Sequence, residues 1–493
     1  MADTPNRARV RRATKRKARR TEGERFTPYR IKKPIGQAKR GPSVPKARGK
    51  RPPGEPSPGT PAREEGSADD QRDPVVFFTY ESSTDNTGPV SDTAADCSGA
   101  DSEPGVVMRT GNWFADLSVD NGGTWKRFDP TTIFPNDLGS GFCCDQIVLF
   151  VPRSNIFVWF LQHAKGASGS GAFRIAIATP AAMKSDFTTA WTYWDFTADD
   201  FGIAGDDLDY PDLAASATFL YFSTDQMKAG GGRLIGRIPL KDLAAGGSIP
   251  FEYTDPSLSQ RPYGSHLAQN SADGAFWVGH IDNATLQVFS LPDAGNTYSW
   301  TNVAIGKWPQ STLSSTSPSS VDWMTKLNDF PRYAVIGATR AGNVLWLAWS
   351  ASKGKADSNT FDFPNAHVRV AQVDVTTMQS VGEMQIWNPD YAFAYPALNT
   401  NAQGEIGIAL AWGGASDHAN AAVGILGDFV VWFRNGSEVT TTRWGDYVSC
   451  RRAGRKTSHY AGFAYYIKKD TSRPSGYFFD PYYVVFGRQS TGP

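Results

Sequence analysis

Cysteine is scarce in this chain: four in 493 residues, too few for a disulfide scaffold at this length. Cys143 and Cys144 are adjacent and Cys97 and Cys450 stand alone, so no Cys-x-x-Cys pair is present, and none of the six histidines has zinc-ligand spacing. A structural metal is therefore not expected. Two arrangements stay open for the thiols: a bridge from Cys97 to one of the adjacent pair in an oxidising compartment, or free buried sulfhydryls. Long apolar runs are missing too, so no segment is long enough to span a membrane as a helix. The twin arginines at 11–12 and 19–20 have no apolar segment behind them; no cleavable export signal is read, and export by another route stays open. Helical periodicity is nearly absent, which argues against a doubly wound fold with its long connecting helices. A Gly-x-Ser-x-Gly elbow, a P-loop and a dinucleotide fingerprint are all missing, and no cofactor is expected. A Ser/His/Asp site assembles in space, so a missing local motif does not exclude it, but nothing in the sequence favours it.

Charge is plentiful and unevenly spread. Residues 1–52 hold 19 Lys and Arg against Asp3, Glu22 and Glu24, a local net of +16, which leaves −15 on the rest of a chain whose total is +1. The stretch 1–73 also carries the Pro-rich run 53–61 and almost nothing apolar to offset the entropy of ordering. It is expected to be a disordered basic leader ahead of a single folded domain over 74–493. Such a polycation binds polyanions with steep salt dependence, so residues 7–52 are the expected contact for nucleic acid or an anionic surface. No aromatics interleave the cluster 11–20, which leaves base stacking little to work with. A plain solubilising tether is the other reading.

The remainder is rich in glycine and aromatics, in short apolar runs parted by polar turns, the pattern of many antiparallel strands. One unit recurs: a strand of small residues, a tight turn, then an aromatic-rich strand. Clear copies are Ile147–Val151 with Ile156–Leu161, His266–Gln269 with Ala275–Val278, Tyr333–Ala338 with Val344–Trp349, and Pro396–Leu398 with Glu405–Trp412. Weaker copies surround positions 111, 216 and 456. With turns near 154, 273, 342 and 403 as well, the period is about 60 residues after the first step. The expected fold class is all-β, a β-propeller of seven blades, with six as the alternative because the first and last copies are weakest. Val75–Tyr80 precedes the first unit and is expected to close the ring by pairing near Tyr482–Phe486.

The stretch Ser118-Val-Asp-Asn-Gly-Gly-Thr-Trp125 follows the apolar run 113–117 and has the makings of a hairpin turn. Its glycines suit positive φ, Ser118 and Asp120 suit acceptance of backbone N–H groups, and Trp125 suits a cap on an apolar layer. At Ser118, Asp120, Gly122, Thr124 and Trp125 it resembles the Asp box (BNR repeat) of sialidase-superfamily β-propellers, which sits between the third and fourth strands of a blade. Asp209-Tyr-Pro-Asp-Leu213, the run 232–237, the short segment 241–246 and Arg443-Trp-Gly-Asp-Tyr447 resemble elements of uncharacterised bacterial members of that superfamily. The resemblance implies a propeller with extracellular or carbohydrate-related roles, and the box itself implies structure rather than chemistry.

A sialidase needs an arginine triad for the substrate carboxylate, a Tyr/Glu nucleophile pair and an Asp acid/base at the propeller axis. The family's Arg-Ile-Pro flag precedes the first box, whereas Arg237-Ile-Pro239 lies well after it, and the match is read as coincidental. Arg332, Arg369, Arg443, Tyr395 and Glu405 supply the right residue types without implied positions. The candidate ligand-binding residues are Arg443, Trp444, Asp446 and Tyr447, joined by Asp209, Tyr210 and Asp145 at the starts of innermost strands. Trp444 and Tyr447 suit stacking on a sugar beside Asp446; alternatively Asp446 caps a turn or pairs with Arg443 while Trp444 packs between blades. The expected function is that of a non-enzymatic, monomeric propeller binding a glycan or protein at its axial face. The alternatives are a sialidase-like glycoside hydrolase and a scaffold tethered to polyanions or nucleic acid through the leader.

Overall fold

The structure, a computed structural model, describes residues 6–22, 75–80 and 96–488 apart from short gaps at 104, 166–168, 229–230, 329–332, 357–360, 428–430, 434–435 and 455. It is a seven-bladed β-propeller in which each blade is one antiparallel sheet. Blade 1 comprises Ser98–Ser102, Val106–Gly111, Phe114–Ser118 and Lys126–Phe128. Blade 2 comprises Phe142–Val151, Ile156–His163, Ala172–Ala178 and Thr192–Thr197, and blade 3 Leu208–Ala215, Phe219–Gln226, Arg233–Pro239 and Ile249–Tyr253. Blade 4 has Gly274–Asp282, Thr285–Pro292 and Thr297–Ala304, with residues 266–269 inside them, where Ala268 N donates to the Phe276 carbonyl and Gln269 bridges to Thr339, and blade 5 has Gly337–Ala341, Val344–Ala351, His367–Asp374 and Gln379–Ile386. Blade 6 runs Ala392–Thr400, Ile406–Gly414, Asp417–Ile425 and Val431–Phe433, and blade 7 runs Ser449–Arg452, Tyr460–Lys469 and Tyr477–Arg488. The strand Val75–Tyr80 completes blade 7, with Tyr80 opposite Tyr483 and Val75 opposite Arg488, so the ring is closed where the sequence places the closure. Among the described residues no helix is long and apolar enough to cross a membrane.

The repeat is in register with the blades from the second unit onward. The turn near 111 is the exception, because it joins the second and third strands of blade 1 rather than the first and second. The true inner strand, Ser98–Ser102, has the sequence Ser-Gly-Ala-Asp-Ser and turns near Gly105, whose φ of 89° suits glycine alone. With one apolar residue among its five, it gives no hydrophobic signal.

Packing between blades explains the aromatic strands. Trp159, Trp277, Trp349 and Trp412 all lie on the second strand of their blades and are 3% exposed or less. Burying one such side chain is worth roughly 2–3 kcal/mol. Between blades 2 and 3, Phe160, Phe173 and Phe196 stack at centroid separations of 4.6 and 5.0 Å, and Phe222 of blade 3 meets Phe173 at 5.4 Å. Gly236 makes this possible, since a Cβ there would overlap the Phe222 ring.

The basic leader divides into two parts. Residues 23–74 lie outside the described residues. Residues 6–22, expected to be disordered, instead form a strap of three short strands along the outer edges of three blades: Asn6–Arg9 pairs with Thr297–Ala304 of blade 4, Arg11–Arg16 with Ile249–Tyr253 of blade 3, and Arg19–Arg20 with Thr192–Thr197 of blade 2. The reason is electrostatic as well as backbone pairing. Arg11 meets Asp255, Arg12 Nε donates to Glu252 at 2.6 Å, Arg16 meets Asp200, and Arg19 reaches Asp195 at 3.0 Å. The positive start of the chain thus lies on acids supplied by its negative remainder, and it covers sheet edges that would otherwise offer unpaired backbone groups.

The Ser118–Trp125 turn joins the third and fourth strands of blade 1. Asp120 Oδ1 accepts from Thr124 N at 2.8 Å and from Ser118 Oγ at 2.7 Å, its Oδ2 accepts from Thr124 Oγ1 at 2.7 Å, and Gly122 N donates to Ser118 Oγ at 2.8 Å. Asn121 and Gly122 take φ of 64° and 90°. Trp125 is half-buried between the Arg109 guanidinium, 3.9 Å from its ring centroid, and Tyr483 of blade 7. Arg109 and Arg127 both bond the buried carboxylate of Asp116, at 2.9 and 2.6 Å. Burial alone would raise the pKa of Asp116, but Arg127 and Arg109 hold it below the usual carboxylate range.

Candidate functional site: the axial mouth

The start of each innermost strand faces the propeller axis, and at one end four aspartates come from four consecutive blades. Asp446 precedes blade 7, Asp96 precedes blade 1, Asp145 lies in the first strand of blade 2, and Asp209 in that of blade 3. They are linked across the mouth. Asp96 Oδ1 accepts from Asp446 N at 2.6 Å and its Oδ2 from Asn112 Nδ2 at 2.9 Å. Asp209 Oδ1 accepts from Gln162 Nε2 at 2.9 Å and from Tyr210 N at 2.7 Å. Tyr210 Oη donates to the carbonyl of Asp446 at 3.2 Å. Burial raises the Asp145 carboxyl well above the usual range, and the charges of Asp209, Asp96 and Asp446 add to the shift. Asp446 is pushed up to about 7 by burial and by Asp96, against the opposing pull of Arg443.

Aromatic groups wall the mouth. Tyr210, His266 and Tyr447 form a triangle with ring centroids 5.7–6.1 Å apart. Trp444 stacks on Tyr465 at 4.5 Å and meets Tyr395 at 5.2 Å, while Tyr465 Oη donates to the Trp444 carbonyl at 2.9 Å. Gly445 leaves the space that Tyr465 Oη and Asp96 occupy, since a Cβ there would collide with both. The hydroxyls of Tyr395 and Tyr447 are buried and have no hydrogen-bond partner among the described residues. Arg443 pairs with Asp446 at the rim, where their side chains are 50% and 18% exposed.

Backbone strain gathers at the same end. Asp96, Cys144, Tyr210 and Tyr395 take φ of 41°, 66°, 57° and 54°. Such conformations cost about 1–3 kcal/mol each in non-glycine residues and concentrate where function constrains the chain. The inner strands of blades 3 and 6 bulge around Tyr210 and Tyr395, which turns these side chains out of the regular alternation. Beside Asp145, Cys143 and Cys144 are bonded to each other. The bridge therefore falls within the adjacent pair rather than reaching Cys97, which is free and buried in the apolar core, as Cys450 is buried and free.

The structure brings Asp145, Asp209, Tyr210, Asp446 and Tyr447 together, with Arg443 at the rim. Trp444 is fully buried and packs among Tyr395 and Tyr465, so no face of it is open for stacking on a ligand. The arrangement is the structural alternative of an Arg443–Asp446 pair with Trp444 between blades, set inside a larger polar cluster. Asp96, His266 and Tyr465 are absent from the sequence candidates. Asp96 had a legible signal, since it stands just ahead of an inner strand as Asp446 does. Arg369 of blade 5 pairs with Glu383, Glu405 meets Arg488, and Arg237 pairs with Glu252 at 2.6 Å within blade 3. Arg332 lies outside the described residues. No group of three or more His, Cys, Asp or Glu side chains is placed to hold a metal ion among the described residues.

No family model and no curated protein matches this chain. Solved structures do resemble it in overall build. The GH93 α-L-arabinofuranosidase of Fusarium graminearum, in complex with arabinobiose, is 9% identical over 84% of this chain and 98% of its own, with a TM-score of 0.37. Trypanosoma rangeli sialidase, in complex with the inhibitor DANA, is 12% identical over 72% and 57%, with a TM-score of 0.34. The SapL1 lectin, in complex with α-methyl fucoside, is 11% identical over 68% and 95%, with a TM-score of 0.35. Likenesses this distant bear on no function, and the reading below rests on the site alone.

Proposed function

We propose that the axial mouth binds a polyhydroxylated ligand, a glycan, and that the protein is a recognition module. The observation that carries the reading is the pairing of unsatisfied hydroxyls with carboxyls of shifted pKa. The hydroxyls of Tyr395 and Tyr447 are buried and bond no group among the described residues, so a ligand reaches them only as the Arg443–Tyr447 segment shifts, and Asp446 and Asp145 stand beside them with raised pKa. A carboxyl that holds its proton donates, its ionised neighbour accepts, and a phenol does either, which matches the mixed donor and acceptor character of sugar hydroxyls. Arg443 at the rim adds a cationic donor for a ring substituent or an acidic sugar.

One observation favours a second reading, glycoside hydrolysis. Asp446 near pH 7 has the protonation of a general acid, and a neighbouring carboxylate would supply the second partner that such chemistry needs. Of the three arginines that sialoside recognition needs, Arg443 alone is at the rim among the described residues. A glycan array and a panel of aryl glycosides and sialosides, run on the full chain, separate the two readings. Retention without turnover is expected; turnover abolished by Asp446→Ala or Arg443→Ala would replace recognition with hydrolysis.

A further inference from the structure

Below the mouth the channel holds a partly open space of about 330 Å³, the solvent at its opening included. Arg451, on the inner strand of blade 7, lines it and is 8% exposed. Its Nε is buried without an acceptor among the described residues. Asp212 of blade 3 is the carboxylate whose charge acts on it, but Asp212 Oδ2 accepts from Leu267 N at 2.8 Å and makes no ion pair with the guanidinium. Two further groups on the same wall lack partners among the described residues, His266 Nε2 and the hydroxyl of Tyr447. Burial pulls the imidazole down to about 4, so at neutral pH it is uncharged and one ring nitrogen carries a proton.

A buried guanidinium without a bonded counter-charge is among the costlier features a fold can carry. Here the unpartnered groups of three side chains, supplied by blade 4, the segment leading into blade 7 and blade 7 itself, converge on one small space. The remaining wall is mostly apolar, with Ile147, Ala338 and Leu398, but it also includes Gln269, Ser449 and the carboxylate of Asp212, which is engaged by Leu267 N.

We propose that the channel is a binding site for a small inorganic anion of halide size, held by Arg451 with His266 and Tyr447, and that this anion fastens blade 7 to blade 4. The site shares the Tyr447 hydroxyl with the glycan reading of the mouth, but Arg451 plays no part there, and the proposal stands if no glycan binds.

The test uses thermal unfolding of the full chain at constant ionic strength, with sodium bromide or chloride replacing sodium gluconate. Halide is expected to raise Tm saturably, by a few degrees at most for a chain this size, in wild type and not in Arg451→Met. Crystals grown in bromide are expected to show an anomalous peak beside the Arg451 guanidinium, which keeps the proposal testable if Arg451→Met does not fold. Superimposable melts in the two salts overturn the proposal, as does a channel without a bromide peak. A peak without a halide-dependent Tm marks binding at crystal concentration only and also overturns it.

Discussion

The hydroxyl of Tyr210 in blade 3 donates to the backbone carbonyl of Asp446 ahead of blade 7, 3.2 Å away, tying residues 236 positions apart across the mouth of the propeller. The bond closes the arc of four aspartates on itself and holds the Arg443–Tyr447 segment over the channel. Tyr210→Phe removes it while keeping the ring against His266 and Tyr447. The expected loss is about 0.5–1.5 kcal/mol in denaturant unfolding. No measurable loss would mean that the mouth is held by packing alone.

Asp446 sets a pH dependence of definite sign. Its folded-state pKa of about 7 lies above the unfolded value near 4, so between these limits the native state binds the extra proton. Its contribution to stability is therefore full at low pH and is lost as pH rises from about 4 to about 7. Asp446→Asn mimics the protonated side chain. The difference in Tm between this variant and wild type is expected to grow in the variant's favour from pH 5 to pH 8, and a difference that is flat or of opposite slope would contradict the assignment.

The Ser118–Trp125 turn separates two effects. Trp125→Ala removes a half-buried ring wedged between Arg109 and Tyr483 and is expected to cost about 2–3 kcal/mol. Asp120→Ala loses the hydrogen bonds inside an exposed turn and is expected to cost about 1–2 kcal/mol. Because the turn is on the outer part of blade 1, neither change is expected to alter ligand preference at the mouth. Chemical denaturation with binding assays on both variants checks this, and normal stability with lost binding would make the turn a recognition loop.

The strap gives a salt-dependent prediction. A wholly disordered leader forecasts no change in unfolding when it is removed, whereas a chain lacking residues 1–22 loses three edge pairings and the ion pairs of Arg11, Arg12, Arg16 and Arg19. Exposed pairs contribute up to about 1 kcal/mol each, so a loss of roughly 1–3 kcal/mol is expected, shrinking in high salt. Equal melting of the truncated and full chains would mean that the strap is not held in solution.

The propeller was legible because its hydrophobic pattern repeats: Trp159, Trp277, Trp349 and Trp412 recur on equivalent strands, and tight turns precede them. Blade 1 was read one strand late because Ser98–Ser102 is poor in apolar residues and its partner hairpin at 111 imitates the repeat. The strap was invisible for a different reason. Its order comes from acids such as Glu252 and Asp195, far away in sequence, and composition alone carries no trace of that pairing. At the mouth, Asp145, Asp209 and Asp446 were legible as residues near inner strands, while Tyr395 and His266 joined them only through bulges and ring contacts that three-dimensional closure creates.

The central claim is that the unsatisfied hydroxyls at the axial mouth are there for a ligand. Tyr395→Phe and Tyr447→Phe each delete one such oxygen; in sodium gluconate, where no halide competes for the Tyr447 hydroxyl, both folded proteins are expected to be as stable as wild type or slightly more so, because a buried unpaired polar group disappears. Affinity for the best glycan on the array, measured by calorimetry on the full chain, is expected to fall about tenfold in at least one of the two, the worth of one hydrogen bond of about 1.4 kcal/mol. Unchanged affinity in both, with stability intact, would contradict glycan recognition at the mouth.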